Sequence, residues 1–95
     1  VFIWQPVPGY KYDTQYHMFY QVEEIYKKLL ATGFSEMETI YRAGALGNNF
    51  LWCADLQRDE KECLYVDRHH YTAKFAKKFA DAACQMCLER GIIKP

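Results

Sequence analysis

A carboxylate and an imidazole stand three residues apart at Asp67 and His70, inside the run Leu64-Tyr65-Val66-Asp67-Arg68-His69-His70-Tyr71-Thr72. Such a pair can do acid–base work. The carboxylate accepts the Nδ1–H, which fixes the tautomer and stabilises the imidazolium, and Nε2 is left free to take a proton from a hydroxyl nucleophile. Three residues across a turn that enters a helix can bring both side chains to one side. Two fixed positions in four also recur by chance, so the blander reading is an Asp cap beside an exposed histidine. Arg68 could attract an acidic group on a substrate, and otherwise is a solvated arginine.

The other reactive side chains carry weaker signals. Cys84-x-x-Cys87, with Cys53 and Cys63, has the count for a zinc site or for two disulfides. Cys84 and Cys87 fall inside a helical pattern, however, and Cys53 inside a hydrophobic run, where free cysteine packs as a small hydrophobe. Nothing marks an activated thiol. His17 could join His69, His70 and Asp67 around a metal, but reads first as a half-exposed helix residue. Tyr10, Tyr12, Tyr16 and Tyr20 could rim a pocket or pack inside the domain. Ser35 is the only serine, and it reads as a helix cap.

The elements that must position these groups follow from the patterning. Val1 to Val7 is an apolar run stopped by Pro6 and Pro8, the pattern of a strand covered on both faces. Asp13 or Thr14 can cap a helix from about Tyr16 to Ala31, with Phe19, Val22, Ile25, Tyr26, Leu29 and Leu30 on its buried face. Gly33 is placed to end it. Ser35-Glu36-Met37-Glu38 matches a capping box that opens a second, short helix to about Ala43. Phe50 to Leu56 is the second strand, Gln57 to Glu62 a charged loop, and Cys63 to Val66 a short extended piece. Thr72 caps a last helix to about Arg90, whose buried face holds Phe75, Ala76, Phe79, Ala80, Ala83, Met86 and Cys87. Gly91 closes it.

Strand, helix, strand, helix with such separators is βαβα, an α/β arrangement with parallel strands. Two parallel strands do not complete a domain. The expectation is therefore an incomplete piece of a larger α/β domain, or a unit that completes its sheet by association. At 95 residues the chain is one small unit, burying about 60–65% of its unfolded surface. Half of it is hydrophobic (51%) and 17% is aromatic, which excludes a disordered segment. Twelve basic residues balance twelve acidic ones, so the chain carries no electrostatic footprint for nucleic acid or an anionic membrane. No apolar run reaches the roughly 20 residues that cross a bilayer.

The segment Leu64 to Thr72, followed by Phe75 and an alanine-rich helix, resembles the last motif block of the SGNH hydrolases, also called the GDSL family. In that family an Asp-x-x-His pair precedes the C-terminal helix of a flavodoxin-like three-layer α/β/α fold. The strand Phe50 to Leu56, and the first strand with its Gln5-Pro6-Val7 exit, look like the late strands of that fold. The likeness runs over nearly the whole chain, and the Asp-x-x-His block is its specific part. It implies that Asp67 orients His70 and that His70 is the general base. Spacing, and the Tyr71-Thr72 that follows, favour His70 over His69, which is left to solvent or a pocket rim.

The family's nucleophilic serine in its Gly-Asp-Ser block, its oxyanion-hole glycine and its Gly-x-Asn-Asp asparagine lie upstream in such enzymes, and none is present here. Ser35 sits far from a strand-to-helix elbow. Gly47-Asn48-Asn49 precedes a strand instead of following one, and is read as a turn. The resemblance thus implies the C-terminal part of a serine esterase or acylhydrolase, needing no cofactor and acting on a small ester or an acylated carbohydrate or lipid. Its partner would be the remainder of the same domain, and these 95 residues alone would be inactive. The competing readings are a non-catalytic interaction module that keeps the fold, and a small metal-binding domain built on the His and Cys residues.

Overall fold

The computed structural model describes every residue from Val1 to Pro95. Two short strands, β1 (Phe2–Trp4) and β2 (Phe50–Trp52), pair in parallel with Phe2 opposite Phe50 and Trp4 opposite Trp52. They are joined by α1 (Glu24–Arg42) and followed by α2 (Ala73–Glu89). The chain is thus mixed α/β, in the expected order. Both strands are shorter than the apolar runs that announce them. Pro6 and Pro8 cannot extend a ladder after Trp4, and beyond Cys53, whose N–H donates to Trp4 O at 2.9 Å, the chain turns away.

The pleat places Trp4 and Trp52 on one face of the sheet, their rings stacked with centroids 6.0 Å apart. There α1 covers them through Phe34, which meets Trp4 edge-on at 5.2 Å, and Tyr41, stacked on Trp52 at 5.8 Å. Leu51 and Cys53 take the other face. Cys53 Sγ there lies 3.9 Å from Met86 Sδ of α2. A second cluster forms beyond the strands from Tyr12, Leu64, Tyr65 and Phe75.

The first helical region departs from its expected form. Residues 16–22 are not α-helical: Asp13 caps only a short 3-10 turn, Thr14–Tyr16, accepting from Gln15 N at 3.1 Å. The helix begins at Glu24 and runs through Gly33 and Ser35 without a break. Gly33 therefore does not end a helix, and Ser35 caps none. Its carbonyl accepts from Thr39 Oγ1 at 3.0 Å, one turn on. A glycine inside a helix costs about 1 kcal/mol, less than the packing lost if Phe34, Met37 and Tyr41 came away from Trp4 and Trp52.

Only part of the expected apolar face is covered. Val22, Tyr26 and Leu30 face the exit loop of β1, where a Cβ on Gly9 would collide with Leu30, so glycine allows the close approach. Phe19, Ile25 and Leu29, expected in the core, are exposed, as are Phe2 and Ile3 of β1. Only 14 of 95 residues are buried and none of these is in α1. Its outer face and β1 thus keep apolar surface bare.

The last helix forms as the sequence predicts. The Thr72 side chain accepts from Phe75 N at 3.2 Å, Phe75 is buried, and Gly91 takes the positive φ that ends the helix. Ala76 and Ala80 are exposed instead of buried. Arg90 then ties α2 to the sheet, donating to Asn48 O (3.1 Å), to Phe50 O (2.6 Å) and to the Tyr41 hydroxyl.

Candidate active site

Asp67 and His70 meet in a tight loop that is closed at its base by backbone bonds. Tyr65 and Tyr71 form an antiparallel bridge; Val66 N donates to His70 O and Thr72 N to Leu64 O, both at 2.8 Å. Asp67 folds the loop from within. Its Oδ1 accepts from the backbone N–H of His69 at 3.0 Å and of His70 at 2.8 Å, while Oδ2 lies 2.7 Å from His70 Nδ1. One carboxylate oxygen thus fixes the backbone and the other fixes the ring. With Nδ1 so engaged, Nε2 is the nitrogen free to exchange a proton. The pair is open, with the His70 side chain 68% and Asp67 52% exposed.

The two backbone donors, that of His69 foremost and that of His70 next, hold the Asp67 carboxyl down at about 2, against an ordinary 3.8; the His70 ring adds to this. A depressed folded pKa stabilises the loop above the unfolded value, and that contribution is lost as pH falls through about 2. Followed by NMR, the Asp67 carboxyl should titrate at about 2, with the His69 and His70 amides moving alongside it. A midpoint near 3.8 would mean that these bonds do not persist in solution.

The loop is anchored to the segment that leaves β1. Tyr71 OH donates to Pro6 O at 2.6 Å, and Tyr12 OH donates to Glu62 O at 2.8 Å while accepting from Leu64 N at 3.3 Å. Between them lies Gln57, fully buried. Its amide N–H groups donate to Val7 O (2.6 Å) and Tyr10 O (2.5 Å), and its carbonyl accepts from Tyr65 OH. The Asp67–His70 pair is thereby held near the carboxyl end of the parallel strands, where open α/β sheets gather functional groups. Burial pushes the Tyr71 hydroxyl up to about 12, so it stays a neutral donor.

Gln57 is the residue that sequence reasoning missed, since the sequence places it only at the start of a charged loop. That reading suits Arg58 and Lys61, which are exposed, but an amide with two donors and an acceptor saturates three groups from distant loops. Nothing adjacent to it in sequence signals this. Gln57→Ala leaves two carbonyls and the Tyr65 hydroxyl unpaired, and should cost about 3 kcal/mol. Urea unfolding should register it as a lower midpoint at unchanged slope; an unchanged midpoint would mean that Gln57 does not hold the loop.

His17 and the tyrosines also differ from expectation. His17 is buried, not half-exposed on a helix. It stacks on Tyr65 at 5.3 Å, and its Nδ1 accepts from Phe19 N at 3.4 Å. Tyr10 and Tyr12 are core residues; only Tyr20 lies on a rim, with the Arg68 guanidinium 4.6 Å over its ring. His69 is exposed, its ring centroid 4.6 Å from that of His70 and its backbone, not its ring, bound to Asp67. Asn48 lies in a turn, bonded to Arg90 O. Ser35 is on exposed α1 surface and shares no hydrogen bond with the Asp67–His70 loop.

All four cysteines are free, and burial pushes the Cys53 thiol up, away from an activated thiolate. No group of three or more His, Cys, Asp or Glu side chains is assembled to hold a metal ion. No helix is long and apolar enough to cross a membrane. Scans against protein-family models, curated proteins and solved structures each found no match. The function must therefore be argued from the site itself, an oriented carboxylate–histidine pair on a parallel α/β frame.

Proposed function

We propose that this chain supplies the acid and base of a Ser-His-Asp ester hydrolase of the SGNH type, within a flavodoxin-like domain whose other part brings the serine and the oxyanion hole. The observation that carries this reading is the division of labour on Asp67, with one oxygen on the loop backbone and the other 2.7 Å from Nδ1 of His70. An Asp that served only as a turn cap would have no need to hold the ring. The bare apolar surface of β1 and α1, including Phe2, Ile3, Ile25 and Leu29, suits burial against further strands and helices of the same domain.

In the proposed reaction His70 Nε2 removes the proton from the serine hydroxyl as Oγ bonds to the ester carbonyl carbon. The tetrahedral intermediate collapses, the C–O bond to the alcohol breaks, and the same proton passes from Nε2 to the departing oxygen. Water then attacks the acyl-enzyme, with Nε2 taking its proton and returning it to serine Oγ as the carboxylic acid leaves. Asp67 remains ionised throughout and faces the positive charge that the ring carries in each transition state.

The test is p-nitrophenyl acetate hydrolysis by the full-length protein, together with labelling by a serine-directed fluorophosphonate. Turnover with labelling of one serine outside these 95 residues is expected, and the 95 residues alone should not exceed free imidazole. Efficient hydrolysis by the isolated segment through His70 would sink the proposal. A full-length chain that neither turns over nor labels would leave an interaction module.

A further inference from the structure

The two outer edges of the sheet are unlike. Phe2 N donates to Asn49 O, and Cys53 N to Trp4 O, both at 2.9 Å. Every peptide bond is trans, so the C=O and N–H it joins point opposite ways. Val1 C=O and Gln5 N–H therefore face away from β2. The N–H and C=O of Ile3 face the same way, because successive residues of a parallel ladder alternate sides. No strand receives them, since the sheet holds only β1 and β2.

The far edge of β2 is closed. Its outward carbonyl, Phe50 O, accepts from Arg90 Nη1 at 2.6 Å, and Asn48 O accepts from the same nitrogen at 3.1 Å. The guanidinium is held in place through Nη2, which donates to the Tyr41 hydroxyl. A strand arriving beside β2 would have to displace this charge from both carbonyls, and charged side chains of this kind keep an edge from pairing.

The side chains follow the same asymmetry. On one face Leu51 is fully buried and its partner Ile3 is 43% exposed; on the other Phe50 is partly buried and Phe2 is 71% exposed. Cover on both faces thus runs out at β1. A row of outward N–H and C=O groups at strand spacing is what an added strand pairs with. Phe2-Ile3-Trp4 and Phe50-Leu51-Trp52 are apolar on both faces, the composition of parallel sheets. Two copies meeting at β1 across a two-fold axis would run antiparallel, against that composition.

We infer that the sheet grows from β1 alone: an apolar strand from the other part of the same domain pairs in parallel along residues 1–5, and β2, closed by Arg90, stays an edge. The inference rests on the hydrolase reading above for the source of the strand, and deepens it. A parallel strand ends on the side of Pro6, whose carbonyl holds Tyr71 of the histidine loop.

The test is amide exchange and through-hydrogen-bond coupling, followed by NMR on the full-length protein. Ile3 and Gln5 N–H should be protected about 10³-fold or more, and Phe50 N–H, on the closed edge, should exchange at least about tenfold faster than Ile3. The coupling from Ile3 N–H should identify an acceptor carbonyl outside these 95 residues. Free Ile3 and Gln5 amides beside a protected Phe50 would put the growth at β2, and three free amides would leave two strands; either overturns the inference. Strong Hα–Hα cross-peaks between β1 and the added strand would make it antiparallel and overturn it too. So would a coupling from Ile3 in a mixture of nitrogen-labelled and carbon-labelled protein, because the acceptor would then belong to a second copy. The hydrolase reading fails separately. Protection with an acceptor in the same chain but no turnover through His70 supports the strand and removes the hydrolase, and turnover with free amides does the reverse.

Discussion

His70→Ala in the full-length protein is expected to lower kcat/KM for p-nitrophenyl esters by about 10⁴-fold or more. The imidazole is both the base that activates the serine and the acid that releases the alcohol, and what survives such a loss in a triad enzyme is oxyanion stabilisation and binding alone. The fold should be untouched. The ring is 68% exposed, its hydrogen bond goes to Asp67 Oδ2, and the backbone N–H that braces the loop remains in the alanine variant. Circular dichroism and urea midpoints should therefore match wild type while turnover disappears. If His69→Ala abolished turnover and His70→Ala did not, the base would be His69 and the loop would have to open to serve it.

Asp67→Asn should be nearly as damaging, with a loss of about 10²–10⁴-fold in kcat. The amide oxygen can still accept from the His69 and His70 N–H groups, which keeps the loop closed. The amide NH₂ then replaces Oδ2 at the 2.7 Å contact with Nδ1 and, being a donor, favours the tautomer that protonates Nε2. A ring in that tautomer cannot take the serine proton. Imidazole NMR in the variant should show the proton moved to Nε2. Full activity with Nε2 protonated would exclude His70 as the base, whereas full activity with the wild-type tautomer would make Asp67 a brace of the backbone only.

Both predictions rest on residues legible in the sequence, because their relation is local. A three-residue spacing before a capped helix delivers Asp67 to His70 by turn geometry, and Thr72 and Gly91 bound α2 by the same short-range rules. The less legible elements are those where distant contacts overrule local preference. Gly33 and the capping box at Ser35 favour two helices, and Phe34, Met37 and Tyr41 keep one by packing on Trp4 and Trp52. Ile25 and Leu29 continue an apolar periodicity into a face that this chain leaves bare, since periodicity marks a face for burial without saying what covers it.

The sequence by itself determined the order of elements, the parallel α/β character, the last helix with its caps, and the pairing of Asp67 with His70. Only the tertiary structure decided that Gln57, within its loop, is a buried anchor, that His17, Tyr10 and Tyr12 belong to the core, and that Val7, Tyr20 and Tyr26 line a cleft with Arg68 and His69. The reason is the separation of the partners. Gln57 reaches Val7 and Tyr10 across 50 and 47 residues, and Tyr71 reaches Pro6 across 65. No periodicity or cap encodes such a bond, because it exists only once the strands have paired and brought both loops to the same end of the sheet.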